Sequence, residues 1–314
     1  MQLKRPMGRS LLLAAGGGFD ILTVQSVLDL LLKLGVATEN DVDVAGWLNP
    51  KFDHFLSDGT DTVVFEKPVN YLGLDQNIVR FRRLSVQYDS IEHPEYVWYE
   101  RYGTRKPIVD NEVPGIVGRG IYCLSTRYGL VDLTWFCSAY DKVIVCDVGG
   151  DILFSGPEDS NVKTPLLDAL SLATLRRVRL EAKSLSIRVA IVGLGSDHEL
   201  EPRQLARNLD RIARNQGLLG GMRIDEQIFD RLECRYAQVV NKYGGNTILR
   251  MLRARQEFSR AQDNATGIPL FDPTIAYLLD FDAVCALNPL STASSLKEMY
   301  EMATSMGWRE ESSQ

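Results

Sequence analysis

Two stretches of strand length, Lys142–Asp147 (KVIVCD) and Ser186–Val192 (SIRVAIV), are rich in Val and Ile with almost no polar interruption. A strand that is apolar on both faces has no side to offer to water. It belongs inside a sheet covered on both faces, the usual setting of parallel strands joined by crossover helices. Ser10–Ala15 and Asp43–Trp47 suit the same role. Segments of helical period follow or separate them at Asp20–Leu34, Thr126–Ser138, Pro165–Val178, Pro202–Asn215, Asp225–Val240, Thr247–Arg260 and Thr292–Met306. Thr164 before Pro165, Glu201 before Pro202 and Asn246 before Thr247 mark helix starts. The alternation predicts an α/β fold on a doubly wound, mostly parallel, Rossmann-like sheet.

Residues 50–120 break this rhythm. They carry VVFEK, IVRFRRLSVQY and YVWYERYGTRKPIV, with strand-like alternation and many aromatics, and then the Gly-rich EVPGIVGRGIY. Glycines beside aromatics and arginines suit a segment that closes over a ligand. The expectation is an inserted small β-rich lobe or lid at 50–120, set into a Rossmann-like domain formed by 1–49 and 121–314; an irregular surface excursion is the alternative. Arg119, with a planar fork that receives carboxylate or phosphate, is the residue of this segment best suited to hold the anionic end of a substrate.

In an open α/β sheet the ligand crevice lies outside the carboxyl ends of the strands. Three of the four strands end alike. The first runs into Gly16, Gly17, Gly18 and Asp20, the second ends in Asp147 and continues Gly149, Gly150, Asp151, and the third continues Gly193, Gly195, Ser196, Asp197, His198, Glu199. Glycines there permit positive φ and bring backbone N–H groups close to a ligand. An acid follows each time. The first turn fails the dinucleotide pattern GxGxxG, because Ile21 stands where the third glycine packs helix against strand. The second echoes the first motif of S-adenosylmethionine-dependent methyltransferases, but Asp151 stands in place of a glycine. Converging acids lined by backbone donors suit a divalent metal, the hydroxyls of a sugar or ribose, or an amine. Each acid also has a plain reading as a helix cap, Asp20 most of all.

Composition narrows the partners. A net charge of −6 and a pI near 5.3 give nucleic-acid phosphates and anionic lipid no basic field to follow. The one strongly apolar run near the start, Leu11–Ala15, falls far short of a signal segment or a spanning helix. The five cysteines are odd in number and lack CxxC spacing, so they read as buried thiols in a cytosolic protein. No GxSxG, HExxH, P-loop or EF-hand pattern occurs.

At the same turns the chain resembles an archaeal and bacterial family known as a domain of unknown function (DUF1152-like). The residues that carry the likeness are Gly16–Asp20; Asp147, Gly149, Gly150, Asp151, Gly156, Pro165, Leu166 and Asp168; and Gly193, Gly195, Asp197, Glu199 and Leu200. The resemblance implies an α/β fold and a shared site, and no reaction. The residues themselves point to a cytosolic enzyme acting on a small polar metabolite of amino-acid, sugar or nucleoside type. The chemistry is carboxylate acid/base or metal-assisted and non-redox: hydrolysis, elimination or group transfer. Asp147, Asp151 and His198 are the candidates for that chemistry. Gly16, Gly17, Gly18, Asp20, Gly149, Gly150, Arg119, Gly195 and Asp197 are the candidates for binding. A divalent cation such as magnesium fits the acids, and homo-oligomers are allowed. Two rivals stay open: a sensor or regulatory protein that binds a small ligand without turnover, and an NAD(P)- or S-adenosylmethionine-dependent enzyme with an aberrant Gly-rich loop.

Overall fold

The computed structural model describes residues 8–17, 20–35, 37–47, 62–65, 86–89, 97–101, 104–107, 121–124, 136–159, 162, 165–231, 233–234, 271–294 and 296–308. In chain order the elements are β1 (Ser10–Gly17), α1 (Asp20–Lys33), β2 (Val42–Trp47), β3 (Thr62–Phe65), β4 (Val86–Asp89), β5 (Val97–Arg101), β6 (Thr104–Pro107), β7 (Ile121–Leu124), β8 (Lys142–Val148), α2 (Pro165–Glu181), β9 (Ser186–Val192), α3 (Pro202–Arg214), β10 (Leu218–Arg223), β11 (Ile275–Asp280), α4 (Phe281–Leu287) and α5 (Leu296–Ser305). The four strands expected from sequence form, each within two residues of the expected limits. Thr126–Ser138 is described as helix only at 136–138 and Asp225–Val240 only at 226–231 and 233–234, while Thr247–Arg260 lies outside the described residues.

The main sheet is mixed, in the order β10-β11-β9-β8-β1-β2-β7-β4. β9-β8-β1-β2-β7 pair in parallel. β11 and β10 add antiparallel at one edge and β4 at the other. A second sheet of three short strands, β3-β5-β6, comes from the 50–120 region, whereas β4 of the same region joins the main sheet.

The centre explains the opening pattern of the sequence. Every residue of β8 after Lys142 is buried, and Leu11, Leu12, Leu13, Val143, Val145, Ile187, Val189 and Ile191 are at most 1% exposed. Helices cover the sheet through narrow stripes. α3 buries Leu205, Asn208 and Ile212, one face at helical spacing, and starts with Pro202 while Gln204 Oε1 accepts from the Glu201 N–H at 2.8 Å. In α2, Leu166, Ala169, Leu172, Leu175 and Val178 all enter the core.

One topological detail places the site. From β1 the chain goes to β2 on one side, and from β8 to β9 on the other, yet β1 and β8 are neighbours. Connections that diverge from adjacent parallel strands leave a crevice beyond their carboxyl ends. Gly16, Gly17, Asp147 and Asp151 are at or just past those ends.

Candidate functional site: a buried carboxylate cluster

Asp147 is the next-to-last residue of β8 and is 1% exposed. The chain then turns through Gly149 and Gly150, at φ 94° and 105°, into a short 3-10 helix, Asp151–Leu153. Only glycine suits both turns. A Cβ on Gly149 would overlap the Asp197 carboxyl, and one on Gly150 would come within 2.6 Å of Leu194 Cδ1. The close approach at Gly149 is therefore the contact that brings the third turn onto the second. Backbone bonds lock it: Gly149 N–H donates to Val192 O at 3.1 Å, and Gly195 N–H, in a turn at φ 80°, donates to Gly149 O at 2.6 Å.

The 3-10 helix bearing Asp151 is held from behind by two fully buried asparagines. Asn208 Nδ2 donates to Leu153 O at 2.9 Å and Asn288 Nδ2 to Ile152 O at 3.1 Å. Asn208 also donates to Asp159 at 3.0 Å, and Arg207 pairs with the other oxygen of Asp159 at 2.8 Å. Asp159, fully buried and further bonded by Ser155, is thus a structural acid.

Asp168, in the first turn of α2, completes the arrangement. Each of Asp147, Asp151 and Asp168 offers a carboxylate oxygen, and these oxygens all lie within 4.8 Å of one another, with all three residues buried. The Ser171 hydroxyl, one turn further along α2, donates to Ala15 O of β1 and so fixes the helix against the strand. Such oxygen separations match what one hard cation spans, with Mg–O near 2.1 Å and Ca–O near 2.4 Å. Without neutralisation the arrangement is costly: two carboxylates about 5 Å apart repel by about 3 kcal/mol at an effective dielectric near 20.

Asp197 adjoins this group. Burial, then the Asp151 charge and that of Glu199, hold its carboxyl well above the usual range, while the Glu199 N–H, 3.2 Å from Oδ1, pulls the other way. Ser196, 1% exposed, has a hydroxyl with no hydrogen-bond partner among the described residues. His198, left-handed at φ 59°, is exposed and stands outside the buried cluster. Gly16 is buried on β1 and Gly17 ends that strand. Asp20 opens α1, and Gly18 and Arg119 lie outside the described residues. Cys137, Cys146, Cys234 and Cys285 are free; the first, second and fourth are buried and Cys234 is exposed. Burial pushes the Cys137 thiol up to about 12, and burial with the Asp147 charge pushes Cys146 higher still, so neither is a nucleophile near neutrality.

Sequence reasoning grouped Asp20, Asp147, Asp151 and Asp197, and Asp168 entered only through the family resemblance, outside the candidate site residues. Its signal was the position three residues after Pro165, where an acid ordinarily reads as a complement to the helix dipole. Among the described residues no helix is long and apolar enough to cross a membrane. Compared with known proteins, residues 130–308 match a family model described as protein of unknown function (DUF1152). No curated protein and no solved structure gives a significant match.

Proposed function

Starting from a chain that belongs to the DUF1152 family, we propose a cytosolic enzyme that uses a divalent cation for non-redox chemistry on a small polar metabolite, by hydrolysis, elimination or group transfer. The observation that carries this reading is the convergence of Asp147, Asp151 and Asp168 oxygens within 4.8 Å at the carboxyl end of β8. All three donors are hard carboxylate oxygens, which suits magnesium, manganese or calcium better than zinc. When bound, the cation supplies Lewis-acid polarisation and lowers the pKa of a coordinated water.

The chain's own residues have distinct parts in this reading. Asp147, Asp151 and Asp168 hold the cation. Asp197, kept protonated more readily than an ordinary carboxyl, is a proton donor beside them. The Gly149, Gly150 and Gly195 turns bring backbone near the ligand, as do Gly16 and Gly17 from β1. Asp20 and Arg119 remain candidates for substrate hydroxyl or amine and for its anionic end. The same reading takes the sheet as doubly wound and Rossmann-like, which the run of parallel pairings and the divergence at β1 and β8 support, and takes part of 50–120 as a lid.

The test is incubation of wild type and Asp151→Asn with a metabolite pool, with added magnesium or with chelator, read by mass spectrometry. Wild type consumes at least one small polar compound only when the cation is present, and Asp151→Asn loses at least about a hundredfold of that rate. A compound retained unchanged on the protein, with none consumed, would instead favour the sensor.

A further inference from the structure

A hollow of about 270 Å³ lies at the far end of α2, lined by Arg176, Arg179, Leu180, Lys183, Phe281 and Asp282. Arg176, Arg179, Leu180 and Lys183 follow the spacing of a single helical face, with Lys183 just past the last residue of α2. Asp168 is in the first turn of the same helix. At 1.5 Å per residue the basic group begins about 12 Å along the helix from it, so the two are separate places.

We propose that this hollow binds a small organic dianion carrying a phosphate group. The chain as a whole carries −6, yet here three cations face one carboxylate. Asp282 is already engaged, accepting from Arg179 at 2.6 Å, which orients that guanidinium at the wall of the hollow. Arg176 and Lys183 are left exposed beside it. Cations near the end of a helix also complement its dipole. That role needs one charge, and it explains neither Arg176, further back along α2, nor the apolar part of the wall. Leu180 is 71% exposed, the most exposed large apolar side chain among those described, and it gives the organic part of a ligand a surface to cover, while Phe281 is fully buried beneath the hollow. The volume, about nine waters' worth at roughly 30 Å³ each, accepts a phosphate with a few attached carbons.

The inference is independent of the carboxylate cluster. Titration calorimetry of the full-length protein with inorganic phosphate, against chloride at matched ionic strength, tests it in wild type and in the double variant Arg176→Ala with Lys183→Ala. Both side chains are exposed, and a circular dichroism melt checks that the variant is folded. Saturable phosphate binding in wild type, weakened at least about tenfold in the double variant, is expected from the loss of two charge-assisted contacts. No binding up to about 10 mM phosphate, or binding that the double substitution leaves unchanged, would overturn the proposal.

Discussion

Asp197 shows how one side chain reports on the state of the whole cluster. Its carboxyl is raised above the ordinary 3.8 by burial and by Asp151. A carboxyl raised in the fold binds more protons folded than unfolded, so stability falls as pH climbs from 3.8 to the elevated value and stays reduced above it. Asp197→Asn removes that penalty. In chelator at pH 7 the variant is expected to melt a few degrees above wild type, with the gain shrinking as pH is lowered toward 4; a variant that melts lower at pH 7, or a gain independent of pH, would contradict the placement of Asp197 beside Asp151. The residues of this cluster differed in how legible they were. Asp147, Asp151 and Asp197 stood out because glycines forced into left-handed turns sit beside them, a local signal. Asp168 carried no such mark, since its partnership is made by α2 lying across the sheet. His198 drew notice by its rarity, yet it faces solvent.

At the scale of elements, the short helix Asp151–Leu153 depends on two distant asparagines. Asn208 occupies a place in the α3 stripe where Leu or Ile would be expected, and its amide explains why: it feeds Leu153 O and Asp159 together. Asn208→Ala and Asn288→Ala each leave a buried carbonyl without its donor, at a cost of about 1–3 kcal/mol. Urea unfolding measures it, and unchanged stability in both variants would show that the turn is held by other means. Strands buried on both faces were readable because burial writes itself into composition. β10 and β11 were not. β10 (LLGGMR) is exposed throughout and contains two glycines, and β11 passes straight into α4, with Asp280 capping the helix by accepting from Asp282 N–H and Ala283 N–H at 3.0 and 3.1 Å. No turn residue separates that strand from that helix, so the boundary left no trace in the pattern. Their antiparallel pairing, with that of β4 at the other edge, makes the sheet mixed around its parallel centre.

Across the whole molecule, charge is sorted along one helix. α2 begins at an acidic cluster enclosed by β8 and the turns after β8 and β9, and ends at a basic hollow shared with the start of α4. Three buried carboxylates, when all ionised, repel one another by about 3 kcal/mol per pair, which weighs heavily against a total stability of about 5–15 kcal/mol. Their convergence is therefore a feature with a cost, which a bound cation would offset. Calorimetric titration of chelator-treated wild type with magnesium, manganese and calcium, repeated on Asp147→Asn, Asp151→Asn and Asp168→Asn, measures this directly. One cation per chain is expected in wild type, with at least about tenfold weaker binding in every variant. Absence of binding by wild type, or affinity unchanged when any of the three acids is neutralised, would contradict it.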